Sequence, residues 1–195
     1  GIVLQAGHTD ASYENMIEGM QAGIRHSTHF FNAMSKLDHR NPNAVGAILI
    51  QSDLSCEIIA DGKHVHPDLI RLLVRDKPST NIVLVTDALK PTEQKQGPFF
   101  ANREEVVLSD GLFLRAADHV IAGSALTMVE GLKNLVNFGI APETAVKMAS
   151  SNPARILRLH RLGEISPGFF ADLTLLSPDF TVIMSMVRGR FVFGA

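Results

Sequence analysis

The sequence reads as an α/β protein: the C-terminal half of a (β/α)8 barrel of the TIM type, followed by a small C-terminal β segment from a β-sandwich. Three features point that way. Four short runs, 2–8 (IVLQAGH), 24–31 (IRHSTHFF), 55–62 (SCEIIADG) and 81–88 (NIVLVTDA), are apolar without strict alternation, as strands buried on both faces are. Helical patterns separate them, the order expected of βα units on a parallel sheet. Each run also carries a His or Asp at or near its end, and polar groups at the C-terminal ends of parallel strands mark the working face of such a barrel. A full barrel takes roughly 250 residues. Residues 1–161 are too few for one, so its last four strands are expected there, with the β segment over 162–195.

The elements follow in order. After the first strand, Ala11 to Ala22 sets Met16, Ile17 and Met20 along one side of a helix, closed by Gly23. Asn43 to Gln51 is a second helix. Pro67 opens a third, with Leu69, Leu72, Leu73 and Val74 in its apolar stripe. Beyond Asp87 the pattern changes: Gly97 to Ala122 contains short β pieces (EEVVLSD, GLFLRA) that read as a hairpin excursion. Helices follow over Ser124–Phe138, Pro142–Ser150 and Pro153–Leu159. The remainder, from GEISPG onward, is short strands between Gly and Pro turns.

Composition narrows the function. Hydrophobic residues are 46% of the 195 and charged residues 19%, which is globular rather than disordered. A formal net charge of −2 provides no field for nucleic acid or an anionic membrane surface, so an anionic small molecule needs a local cluster of cations. Cys56 is the single cysteine; it cannot form an internal disulfide and suits a core position in a reducing cytoplasm. GIVLQAGHTDASYENM lacks the charged lead of a secretion signal, and no apolar stretch reaches membrane-spanning length. The chain begins inside an apolar run, as a fragment of a longer protein would.

The strand-end residues are His8, His29, Asp61 with His64, and Asp87. Two imidazoles and a carboxylate converging on one pocket suit a divalent metal such as zinc, with one position left for water. Each also has a bland reading. A lone His near a strand end is usually a hydrogen-bonded structural residue, and Asp87 alone suits the cap of a turn. His26, His39, His66, His119 and His160 are expected at the surface or behind the site.

The motifs AGHTDA (6–11), THFFNAM (28–34), HRNP (39–42), ADGKHVHP (60–67), LVTDA (84–88) and AGSALTMVEGLKNLV (122–136) together resemble the N-acetylglucosamine-6-phosphate deacetylases of the amidohydrolase superfamily. The tail GEISPGFFADLTLL is similar to that superfamily's closing β segment. The resemblance covers essentially the whole chain. It implies hydrolysis of the N-acetyl amide of an amino sugar phosphate, with His8 and His29 as metal ligands and Asp87 as general base and then general acid. It implies substrate contacts from Asn32, Ala33, Asp61, Gly62, Lys63, His64, Ile121, Ala122 and Gly123. Arg40 takes the place of a phosphate-binding arginine that in some members reaches into the neighbouring subunit, which implies a homodimer. The implied cofactor is a divalent ion, zinc first, with iron, cobalt or manganese also compatible; the glucosamine and galactosamine epimers are not distinguished. The family's glutamate ligand and a carbonyl-polarising histidine precede the region matched, and Glu14, Glu18 and Glu57 do not fit that glutamate's motif. Other readings are an amidohydrolase for cyclic amides or dipeptides and a non-catalytic truncated chain. Dihydroorotase- and dipeptidase-like members often use a carboxylated lysine, and no lysine stands at a strand end here.

Overall fold

Aliphatic and branched side chains leave the segments 55–59 and 82–85 little that favours solvent, and they form the centre of a parallel sheet. In the computed structural model, which describes residues 1–94, 98–101 and 103–194, β1 (Gln5–Ala6), β2 (His26–Ser27), β3 (Ser55–Ile59) and β4 (Ile82–Val85) lie side by side in that order, all parallel. The four apolar runs of the sequence thus enter one sheet in chain order. β1 and β2 are shorter than their runs. Single bonds extend the ladder, Thr28 N–H donating to Ala6 O at 3.0 Å and Ser55 N–H to Arg25 O at 3.1 Å. At His8 and His29 the backbone turns to positive φ, 43° and 20°, a conformation that no strand continues through.

The connections are the expected helices with adjusted ends. α1 (Tyr13–Gln21) starts at a capping box in which the Ser12 hydroxyl accepts from Asn15 N–H and the Asn15 side chain accepts from Ser12 N–H. Gly23 follows its last turn at φ 112°. α2 (Asn43–Ile50) is buried over most of its length. α3 (Pro67–Asp76) places Pro67 in its first turn, where a missing N–H costs nothing. Its inward residues are Ile70 and Leu73, with Val74 partly covered, whereas Leu69 and Leu72 stay exposed. The expected stripe was therefore rotated by one residue: positions 70, 73 and 74 share a face at helical spacing, and 69 and 72 fall behind it.

After β4 a second sheet forms from β5 (Phe99–Ala101), β6 (Glu104–Ser109), β7 (Leu112–Arg115) and β8 (Ile121–Ser124), antiparallel in that order. Gly97, the expected start of this excursion, lies outside the described residues. Phe113 is fully buried beneath the sheet, its ring edge-on to Phe99 at 5.7 Å. The helix expected from Ser124 instead begins at Met128: α4 (Met128–Asn137) is capped by Thr127, in a box with Glu130. Ser124 belongs to β8 and also bridges Ala88 in parallel, so this sheet is sewn onto the end of β4. α5 (Pro142–Ala149) and α6 (Ser151–Ile156) follow, the latter two residues earlier than its Pro153 suggests. A third sheet, β11-β10-β9, is antiparallel and built from β9 (Leu173–Leu176), β10 (Val182–Val187) and β11 (Arg190–Phe193).

One hydrophobic cluster spans the parallel sheet and the helices α1 to α5, including Phe30, Ile48, Leu54, Ile58, Leu73, Leu84, Leu135 and Met148. Each such side chain contributes about 1.5–3 kcal/mol on burial. Leu176 and Phe180 of the tail pack against the same cluster. Among the described residues no helix is long and apolar enough to cross a membrane.

Candidate active site

The parallel sheet decides which side chains meet. His8, His29, His64 and Asp87 stand beyond the C-terminal ends of β1, β2, β3 and β4 in turn, and the structure brings them together. The His8 and His29 rings meet edge-to-face with centroids 4.7 Å apart. His64 Nε2 lies 3.9 Å from an Asp87 carboxylate oxygen, which is too long for a direct hydrogen bond but close enough for a shared ligand or water. Their backbones are unusual: His8, His29 and Asp87 all have positive φ, as do Phe31 and Ala33. Left-handed conformations of residues with a Cβ cost about 1–3 kcal/mol each and persist where the surroundings over-determine them.

Asp61 organises the loop after β3. One carboxylate oxygen accepts the backbone N–H groups of Lys63 and His64, both at 2.8 Å, and the other meets His64 Nδ1 at 2.6 Å. Burial works to raise this carboxyl's pKa, but the bonds from His64 and Lys63 outweigh it and hold the value low. With Asp61 ionised, His64 Nδ1 carries the proton, and Nε2 is the atom left facing Asp87. Asp87 shows the opposite balance. Burial pushes its carboxyl upward, and the nearby His29, His64 and His8 only partly pull it back.

Asn32 donates to the carbonyls of His29 and Phe30, both at 3.2 Å, and so ties down the turn that carries His29. Ala33 is exposed, its carbonyl accepting from Thr9 N–H at 3.0 Å. Gly62 adopts φ 73° inside the Asp61 turn. Gly123 fills a place for glycine alone, since a Cβ there would stand 2.8 Å from both the Asp87 carbonyl and the Leu89 side chain. Ile121 and Ala122 precede it on β8. Lys63 reaches the turn between β6 and β7, pairing with the Asp110 carboxylate at 2.7 Å and also with the Asp110 carbonyl. Arg40 sits on an exposed loop, its backbone N–H bonded to Asp38 at 2.9 Å. No side-chain contact found among the described residues links it to the four central groups.

His26 is expected at the surface or behind the site, and Glu57 does not fit the motif of the family's glutamate ligand; the structure pairs the two. His26 is 3% exposed, between Ser55 and Glu57, so it lies behind the site rather than at the surface. Glu57 accepts from the Thr28 hydroxyl at 2.9 Å and from His29 N–H at 3.1 Å. A signal was present: a lone carboxylate inside the apolar run SCEII needs buried donors.

The His29 Nδ1 atom is buried and has no hydrogen-bond partner among the described residues, the state expected of a ring nitrogen reserved for a ligand. This fits a metal held by His8 and His29. Among the described residues, however, no three His, Cys, Asp or Glu side chains form a group that could hold a metal, so two imidazoles supply only part of a coordination shell. Of the four groups, His8 borders a shallow concavity that it lines with Thr9, Asp10, Ala33, Met34 and Ser35. A larger hollow, about 700 Å3 between α5 and residues 163–174, lies elsewhere.

Compared with known proteins, residues 1–192 match the amidohydrolase family. The chain is 36% identical to an N-acetylglucosamine-6-phosphate deacetylase of Vibrio furnissii, over 100% of its own length and 49% of the relative's. It is 33% identical to an N-acetylgalactosamine-6-phosphate deacetylase of a Shewanella species, over 100% of its own length and 50% of the relative's. The crystal structure of N-acetylglucosamine-6-phosphate deacetylase from Thermotoga maritima superposes with a TM-score of 0.93 at 34% identity, covering 98% of this chain and 53% of that one. The chain thus spans about half the length of the curated relatives it matches.

Proposed function

Because the chain belongs to the amidohydrolase family, we propose that it supplies the histidine-and-acid part of a deacetylase acting on an N-acetylated hexosamine 6-phosphate. The products are acetate and the amino sugar phosphate. The observation that carries this reading is the meeting of His8, His29, His64 and Asp87 at the ends of four parallel strands. Relatives named for the glucosamine and for the galactosamine substrate are both similar to it, so the substrate class covers both epimers.

His8 and His29 would hold a divalent metal, zinc before iron, cobalt or manganese; the unpartnered His29 Nδ1 supports this. Bound there, the metal would acidify a water and polarise the amide carbonyl. Asp87 takes the proton of the attacking water and returns it to the departing nitrogen. His64, its tautomer set by Asp61, offers Nε2 to the substrate beside Asp87. Asn32, Ala33, Asp61 to His64 and Ile121 to Gly123 border the sugar in this reading, and Arg40 binds phosphate with its planar donor fork, in a homodimer. Residues 1–161 are then half of a barrel, residues 162–195 a segment of a β-sandwich, and the compartment the cytoplasm.

A chimera tests the reading. This chain replaces the matched segment of the Vibrio furnissii deacetylase, and acetate release is measured from the 6-phosphates of both N-acetylhexosamines, with dipeptides and cyclic amides as controls. Release from either sugar phosphate supports the proposal. A folded, metal-loaded chimera active only on the control substrates, or on none, overturns it.

A further inference from the structure

Glu57 occupies the middle of β3, on a strand that is otherwise buried, and its side chain is only 18% exposed. Every donor around it comes from one neighbourhood. One carboxylate oxygen accepts from the Thr28 hydroxyl at 2.9 Å and from His29 N–H at 3.1 Å. The other faces His26 Nε2 at 3.3 Å. The main chain adds a further link, Phe30 N–H donating to the Glu57 carbonyl at 2.8 Å. Two consecutive backbone N–H groups, those of His29 and Phe30, are therefore both bonded to Glu57. These are the groups that leave the β2 ladder when the chain turns to positive φ at His29. Without an acceptor here they would be stranded in a poorly hydrated interior.

His26 fixes the carboxylate in turn. Ser55 Oγ lies 2.7 Å from His26 Nδ1 and 2.9 Å from the Arg25 carbonyl; toward the Glu57 carboxylate, which can only accept, the ring donates from Nε2. The ring is thereby locked with Nε2 against Glu57. The Glu57 carboxyl is held below its usual value, the bonds from His26, Thr28 and His29 outweighing the opposing effect of burial.

We infer that Glu57, oriented by His26, is a positioning residue for His29: it holds the backbone turn that presents the His29 imidazole to His8 and Asp87. The functional consequence rests on the reading of His29 as a metal donor; the positioning does not. Glutamine tests geometry against charge. It keeps an oxygen for Thr28 and His29 and sets its amide nitrogen against His26 Nε2, which accepts once the ring's proton moves to Nδ1 beside Ser55. Alanine removes all three contacts.

The experiment combines residue-resolved amide hydrogen exchange with Co2+ titration of the full chain and its Glu57→Ala, Glu57→Gln and His29→Ala variants. In Glu57→Ala, exchange at the His29 amide is expected to rise about 10-fold or more while Ile58 and Leu84 stay protected, a local rather than global opening. Co2+ affinity should fall about 10–100-fold, the usual effect of losing the group that orients a ligand. Glu57→Gln should stay near the parent in both. Should Glu57→Ala not fold, Glu57→Asp withdraws the carboxylate by one methylene and takes its place. Unchanged exchange at His29 in the Ala or Asp variant overturns the inference, as does a Gln variant as impaired as Ala. A parent chain that takes up no Co2+, or a His29→Ala variant that binds it normally, overturns the metal reading instead, and the exchange data then decide the role of Glu57.

Discussion

Gly7 immediately precedes His8, and the structure says what a single methyl would do there. Its φ is not in the left-handed region, so the backbone accepts alanine. The added Cβ would collide with the Thr28 Cγ2 methyl and stand 3.4 Å from Thr28 Cβ. Thr28 has one easy escape, rotation about χ1, but that swings its hydroxyl away from Glu57, where it now donates at 2.9 Å. Moving the strands apart instead incurs the usual overpacking penalty of about 1–3 kcal/mol. Losing a hydrogen bond to a charged acceptor costs about 1.5–3 kcal/mol. The molecule takes the cheaper route, so Gly7→Ala should cost about 2 kcal/mol, or roughly 4–8 °C in Tm for a chain of this size. Thr28→Ser removes the offending methyl and keeps the hydroxyl, at a cost of about 0.8 kcal/mol for one buried carbon. The double variant should therefore resemble Thr28→Ser alone, with a coupling near 2 kcal/mol in favour of the pair. Urea unfolding followed by far-ultraviolet circular dichroism measures the cycle. Strict additivity, a coupling below about 0.5 kcal/mol, would show that the two strand ends do not touch in this way and would refute the reasoning.

Three further outcomes are expected. In the chimera, Asp87→Asn should lower the acetate release rate about 10²–10⁴-fold, the usual worth of a general acid–base group, with metal content by elemental analysis unchanged; near-parental turnover removes Asp87 from that role. Burial pushes the Cys56 thiol up to about 12, so the folded state keeps its proton longer than the unfolded one. Its contribution to stability is full below about pH 8.5 and declines above it by at most ~1.4 kcal/mol per pH unit, a decline that urea titrations at several pH values should find missing in Cys56→Ala. Lys63→Ala should cost less than about 1 kcal/mol, because its ion pair with the well-exposed Asp110 is screened by water; a larger loss in the same assay would show that Lys63 does more than pin the hairpin turn.

The parallel strands were legible because burial on both faces leaves a continuous apolar run, and their order in the sheet follows from chain order. The meeting of His8, His29, His64 and Asp87 was legible for the same reason: once the strands are parallel, their ends lie together. The reading failed where three-dimensional partners override local pattern. IAGS at 121–124 has no strand signature of its own, and only its pairing with β7 and with Ala88 makes it one. The α3 stripe was misphased because four leucine and valine positions were weighed without Ile70, which lies on the inward face. Lys63 reads as a ligand-binding cation, and only the fold reveals Asp110, 47 positions away, within its reach. The His26–Glu57 contact joins residues 31 apart, a pairing that no local spacing announces.

The excursion between β4 and α4 departs at Asp87 and returns at Ser124, where Ser124 N–H donates to the Asp87 carbonyl at 2.8 Å and Leu89 N–H donates to the Ser124 carbonyl at 3.1 Å. Its two roots are clasped together whatever lies between them. Closing a detour of this kind grows more costly only slowly with its size, so residues can be added to or trimmed from its far end while the acid at its base stays where it is. Length changes in this excursion, made at its far end, are therefore the ones least able to disturb Asp87.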